Sequence, residues 1–218
     1  VCCVWRGLSP ERRHPMEFIH ALDQQTLEWF TEFRHAHARL TPVMKDITAL
    51  GGRYVLAIVV LFTVGLLLSF RRYRTGGFIL AAALGALLLS EAIKVSIGRE
   101  RPPNDDPTAF HADASPSFPS GHSMLSAAIY LTLALVATAV IPRWPVRAYI
   151  VGASLVLVAL IGITRLYLGV HYLTDVAGGW VVGLAWGLFC RWVESRWVLR
   201  LERRDAALQS AVEGRQST

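Results

Sequence analysis

The chain has 218 residues, of which 53% are hydrophobic and only 17% charged, and its mean hydropathy is +0.40. Soluble domains carry about one quarter charged residues, so this composition excludes an ordinary soluble fold and points to a membrane protein. The net charge of +6 fits nucleic acid, anionic lipid or topology-marking loops until the charges are placed along the chain.

Residues 1–15 lack a signal-peptide apolar core and read as a leader, or as sequence upstream of a start at Met16. Residues 16–52 set Phe18, Ile19, Leu22, Leu27, Trp29, Phe30 and Phe33 among acids, Arg and His. That pattern predicts amphipathic helices on the membrane surface. A break is expected at "LTP" (40–42), and "LGGR" (50–53) turns into the first span. A partly buried sixth helix is the alternative.

Five stretches approach or reach the roughly 20 residues that a bilayer span needs. They are 54–70, 75–97 (interrupted by Glu91 and Lys94), 123–141, 148–164 and 175–192. The predicted fold is therefore an all-α polytopic membrane bundle of five to six transmembrane helices, with residues 53–195 as the membrane domain. Residues 196–218 form a polar cytoplasmic tail.

The connections "RRYR" (71–74) and "PRWPVR" (142–147) and the segment 191–204 share one side and hold ten Arg; the opposite loops hold three. The positive-inside rule places the ten in the cytoplasm. These charges mark topology, so nucleic acid is not an expected partner. Cys2, Cys3 and Cys190 show neither metal-ligand nor disulfide spacing.

Three polar groups fall on the exterior side. In "KVSIGRERPP", Lys94 and Arg101 are seven apart, a spacing that a helix returns to nearly one face before Pro102 and Pro103 end it. In "PSGH", Ser120 is a good N-cap, Gly121 permits close backbone approach, and His122 lies in the first turn of a helix. Such a terminus suits an anion. In "TRLYLGVHYLTD", His171 and Asp175 are four apart; on a helix the carboxylate can hold one imidazole nitrogen and leave the other as nucleophile or base. Arg165 lies six residues upstream of His171 and can reach a phosphate after a turn. Asp105, Asp106 and Asp113 have no ligand spacing, so no metal and no cofactor is expected.

Together, Lys94 with Arg101-Pro102, Pro119-Ser120-Gly121-His122, and Arg165 with His171 and Asp175 resemble the three-part signature of the type 2 phosphatidic acid phosphatase superfamily. Thr164 stands where that family usually has Ser, and the clear spans number five where many members have six. The resemblance implies a metal-independent lipid phosphatase of bacterial type, in the inner membrane with its site facing the exterior. His171 would attack phosphorus to form a phosphohistidine, Asp175 would orient it, and His122 would protonate the leaving oxygen. Lys94, Arg101, Ser120, Gly121 and Arg165 would hold the phosphate oxygens. Undecaprenyl diphosphate, phosphatidylglycerophosphate and phosphatidic acid all fit as substrates. The alternatives are a vanadate-dependent haloperoxidase-like enzyme and a noncatalytic lipid-phosphate binding or transport protein.

Overall fold

The computed structural model describes residues 15–103 and 115–216, with side chains described from 17 to 196 outside that gap. Its helices are α1 (Pro15–Ala36), a 3₁₀ turn (Ala38–Leu40), α2 (Thr41–Ala49), α3 (Arg53–Ser69), α4 (Tyr73–Ile97), α5 (Gly121–Val140), α6 (Trp144–Tyr167) and α7 (Leu173–Gln216). The leader 1–15 lies almost wholly outside the described residues.

Helices α4, α5, α6 and the Leu173–Arg196 part of α7 are each long and apolar enough to cross a membrane. At 17 residues, α3 is about 26 Å long and slightly short of a bilayer core. It reaches the necessary length only together with the preceding turn and α2, from which it bends by 41°. The expected five spans are thus four helices sufficient alone and a fifth sufficient as a bent pair. The polar tail read from residue 196 onward is continuous in backbone with the last apolar helix, because α7 runs on as helix to Gln216.

Helix α5 is the central element. Ten of its residues are buried, among them Ser123, Ser126, Ala127, Ala128 and Ala134, small side chains that let neighbouring backbones come close. The closest neighbour is α7. A Cβ added at Gly183 would stand 2.4 Å from Met124 O, and one at Gly179 would stand 3.0 Å from Ser120 O. Hydrogen at these positions is therefore what brings the two helices together.

Two tryptophans of α7 fill glycine notches on other helices. Trp186 lies in the space a Cβ on Gly85 would take (2.4 Å), and Trp180 in that of Gly162 (2.2 Å). Their indole N–H groups donate to Ala82 O at 2.9 Å and Val158 O at 3.2 Å. A half-buried indole N–H turned into the protein needs such an acceptor, and in each case the acceptor lies beside the notch. Leu56, Val60, Ile79, Ala86, Leu125, Ala128 and Ile129 form the core between α3, α4 and α5. Ile58, Phe62, Leu88 and Val181 point outward and are exposed, as lipid-facing residues of a bundle would be.

The N-terminal helices dock on the bundle. Phe30, Phe33 and Met44 pack on Tyr167 at the end of α6 and on Leu168 and Val170 of the α6–α7 connection. Arg34 Nη1 donates to Leu168 O at 2.8 Å, and the Tyr167 hydroxyl donates to His37 O at 3.0 Å. The Tyr130 hydroxyl of α5 donates to Leu50 O at 2.8 Å. These contacts fix the turn between α2 and α3 over the end of the bundle where the three polar groups meet.

Candidate active site

The three polar groups meet around a cavity of about 350 Å³ at one end of the bundle. Lys94, Arg101, Gly121, His122, Arg165 and His171 all line it. Ser120 and Asp175 do not; both are fully buried behind the wall.

Lys94 and Arg101 reach the cavity differently from the single helix face expected of them. Helix α4 stops at Ile97 because Gly98 adopts φ 62° as a left-handed cap, its N–H bonded to Lys94 O. Lys94, 4% exposed, projects from the last turn of α4. Arg101 lies beyond the helix, with Nε and Nη2 each donating to Ser115 at 3.0 Å and Nη1 to Val170 O at 3.4 Å.

Ser120 occupies the N-cap position of α5, but its side chain makes no capping bond. Its N–H donates to Asp175 O at 3.0 Å, and its hydroxyl accepts from Ser123 Oγ at 3.0 Å. Ser120 therefore ties the turn to α7 and does not face the cavity. The first helical bond of α5 is Met124 N to Ser120 O, so the amides of Gly121, His122 and Ser123 precede it. A Cβ on Gly121 would stand 3.4 Å from Lys94 Nζ, and its absence leaves the ammonium beside bare backbone.

His171 and Asp175 are not on one helix face either. Helix α7 begins at Leu173, so His171 precedes it and Asp175 lies in its first turn. Asp175 Oδ2 accepts the Tyr172 N–H at 2.9 Å, as the third residue of a capped helix can. The same oxygen is 3.5 Å from His171 Nδ1. Ser117, which the sequence reading passed over, stands between them: its hydroxyl donates to Asp175 Oδ2 and is 3.2 Å from His171 Nδ1. Nδ1 is thus turned to the protein, leaving Nε2 for the cavity. Burial pushes the His171 pKa down to about 4; Asp175 opposes this, while Arg165 and Arg101 push the same way. The ring is neutral at pH 7, as a nitrogen nucleophile must be.

Arg165, at the end of α6, is 6% exposed. Its Nη1 donates to Thr48 Oγ1 of α2 at 3.2 Å, while its Nε has no hydrogen-bond partner among the described residues. Ser90 Oγ, also lining the cavity, is likewise buried without one. Buried donors without partners are costly, and a bound anion would satisfy them. Thr164 Oγ1 bonds back to Ile161 O at 2.6 Å, so the hydroxyl that replaces the family's usual Ser serves its own helix.

Two further residues escaped the sequence reading. Arg99 Nη1 is 2.6 Å from Asp175 Oδ1, and its Nη2 is 2.6 Å from Asp23 Oδ2 of α1. Asp23 also accepts the Thr174 N–H at 3.0 Å and hydroxyl at 2.7 Å, and the guanidinium lies 4.3 Å above the Tyr172 ring. In the sequence alone Asp23 is one acid among several in an amphipathic stretch, and Arg99 lies between Lys94 and Arg101 without marking itself out. Among the described residues no group of three or more His, Cys, Asp or Glu is placed to hold a metal. Asp105, Asp106 and Asp113 lie outside the described residues.

The family model of the PAP2 superfamily matches residues 74–198, which include every one of these signature residues. The chain belongs to the PAP2 superfamily. Among PAP2 proteins, it is 37% identical over 150 residues to phosphatidylglycerophosphatase B of Bacillus subtilis (strain 168), covering 66% of this chain and 70% of that one. It is 31% identical over 150 residues to the undecaprenyl-diphosphatase of Sulfolobus acidocaldarius, covering 67% and 66%. A crystal structure of a transmembrane PAP2-type phosphatidylglycerolphosphate phosphatase from Bacillus subtilis superposes with a TM-score of 0.74 at 28% identity, covering 82% of this chain and 87% of that one. The chain is an all-helical integral membrane PAP2 protein.

Proposed function

We propose that this PAP2 chain is a lipid phosphatase whose cavity holds the phosphate of an amphiphile while the tail stays in the bilayer. The carrying observation is that Lys94, Arg101 and Arg165 line one cavity with His122 and His171, and that Arg165 Nε has no hydrogen-bond partner among the described residues. Three cations and the first amides of α5 suit the nonreacting oxygens of a phosphoryl group.

His171 Nε2 attacks phosphorus as the bond to the leaving oxygen breaks, and His122 gives that oxygen a proton. Water, deprotonated by His122, then breaks the phosphorus–nitrogen bond, releasing phosphate and restoring both histidines. Asp175 and Ser117 hold Nδ1 so that Nε2 faces phosphorus. Ser120 acts by holding the turn that presents Gly121 and His122. The chemistry calls for no metal.

The arginine bias of the opposite loops supports an exterior-facing site, and we assign the chain to a bacterial inner membrane. Glu100 and Arg72, each replaced by Cys, should label from opposite sides of sealed vesicles; labelling from the same side would refute this orientation. The activity is tested by phosphate release from a panel of lipid phosphates, in chelator, by wild type and His171→Ala. Release by wild type and a loss of at least about a thousandfold in the variant are expected. Full activity in the variant removes His171 from the nucleophile role.

A further inference from the structure

The cavity carries more positive charge than one phosphoryl group needs. Beside Lys94, Arg101 and Arg165, it is lined by Lys45 of α2 and Arg53 at the start of α3; among the described residues the one carboxylate in its lining is Glu91. These two cations come from the N-terminal part of the chain, outside the residues matched by the family model.

Their position follows from the α2–α3 turn. A Cβ on Gly52, the residue before Arg53, would stand 3.8 Å from His122 Nε2, and one on Gly51 would stand 3.5 Å from His122 Cβ. The turn therefore lies against the histidine that protonates the leaving oxygen. Lys45 is one turn before Thr48, which bonds Arg165 at 3.2 Å, so α2 presents Lys45 to the same cavity. Exposed Tyr54 and Glu91 and half-buried Val55 continue the lining toward the α3 and α4 faces, where a lipid tail can leave the cavity. Lys45 and Arg53 thus share this cavity with His122, and the turn that joins their helices lies against that histidine.

We propose that Lys45 and Arg53 form a second anion subsite on the leaving-group side, selecting lipids whose leaving group carries a phosphate of its own. This rests on the phosphatase reading above. When phosphorus transfers to His171 from a diphosphate, the departing group is a lipid monophosphate, and its negative charge grows as the bond breaks. Cations beside it stabilise that charge in the transition state. A neutral departing alcohol gains nothing comparable.

The test uses the full chain in mixed micelles and two matched substrate pairs. Farnesyl diphosphate and farnesyl monophosphate share a tail; phosphatidylglycerophosphate and phosphatidic acid share a diacylglycerol body. Within each pair only the first leaves with a phosphate. Wild type should prefer the first of at least one pair in kcat/KM. In Lys45→Gln/Arg53→Gln that ratio should fall by about ten- to a hundredfold, the value of one or two charge-assisted contacts. Arg53→Lys should keep most of the preference. A fall confined to the farnesyl pair places the second phosphate next to the leaving oxygen; a fall in the glycerol pair places it farther along. Ratios within threefold of wild type in both pairs overturn the subsite even if both rates drop together. A wild type that releases phosphate from none of the four overturns the phosphatase reading itself.

Discussion

Replacing Arg99 by Ala would leave two buried carboxylates facing the space its guanidinium filled. Asp23 and Asp175 are 1% and 0% exposed, and each is 2.6 Å from Arg99. Breaking a buried ion pair from one side typically costs about 3–5 kcal/mol, because a charge stays behind without compensation. Both carboxylates keep other donors: Asp23 the N–H and hydroxyl of Thr174, Asp175 the N–H of Tyr172 and the hydroxyl of Ser117. Those bonds favour the lower end, so Arg99→Ala should lose about 3 kcal/mol. Adding Asp23→Asn removes one of the stranded charges, and the double variant should be more stable than Arg99→Ala alone, a coupling that independent sites would not show. Unfolding in detergent at neutral pH, wild type against the singles and the double, measures both quantities. A single variant within about 0.5 kcal/mol of wild type, or a double variant weakened by the sum of the singles, would refute the reasoning. Under the proposed mechanism, in which Asp175 orients a group that acts in the transition state, hydrolysis should fall as well, with kcat reduced more than KM is raised.

Three other outcomes follow. His171 has a folded pKa of about 4 against about 6.5 unfolded, so between these values the unfolded chain binds more protons and stability falls as the solution is acidified. Wild type should therefore lose on the order of 3 kcal/mol relative to His171→Gln between pH 7 and about pH 4; parallel unfolding profiles for the two proteins would contradict this. Gly183→Val should prevent recovery of folded protein, because its Cβ would meet the Met124 carbonyl oxygen at 2.4 Å. Gly65→Ala, with nothing within 4 Å, should be neutral or gain up to about 1 kcal/mol from helix propensity; equal melting temperatures for these two glycine variants would count against the packing account. Arg165→Lys should lower kcat/KM about a hundredfold, since an ammonium cannot donate both to Thr48 and from the position of Nε; hydrolysis within threefold of wild type would show that Nε does not meet the phosphate.

The apolar runs made the bundle legible, because a span is a property of composition over a window. Helices α3 to α6 begin and end within a few residues of the stretches read from hydropathy. Lys94, Arg101, His122, Arg165 and His171 were legible because charged or titratable side chains beside apolar helices are costly and stand out. Local geometry was harder to read. A seven-residue spacing suggested one helical face for Lys94 and Arg101, but Gly98 stops the helix first. Four-residue spacing suggested the same for His171 and Asp175, but the helix starts between them. Asp23 and Arg99 were missed because their value comes from an ion pair across 76 residues of chain. Ser117 carries no sequence signal of its own, because its role comes from contacts with Asp175 and His171 more than 50 residues away.

The glycine contacts between α5 and α7 also limit how this protein can vary. Backbone against backbone has no side chains to trade, so the floor carrying His122 and Asp175 has almost no room for adjustment. The wall formed by α2 and the start of α3 meets the cavity through side chains such as Lys45 and Arg53, which can change without moving that floor. A chain built this way can acquire a new preference for its lipid by rewriting a short N-terminal stretch while its chemistry stays as it was.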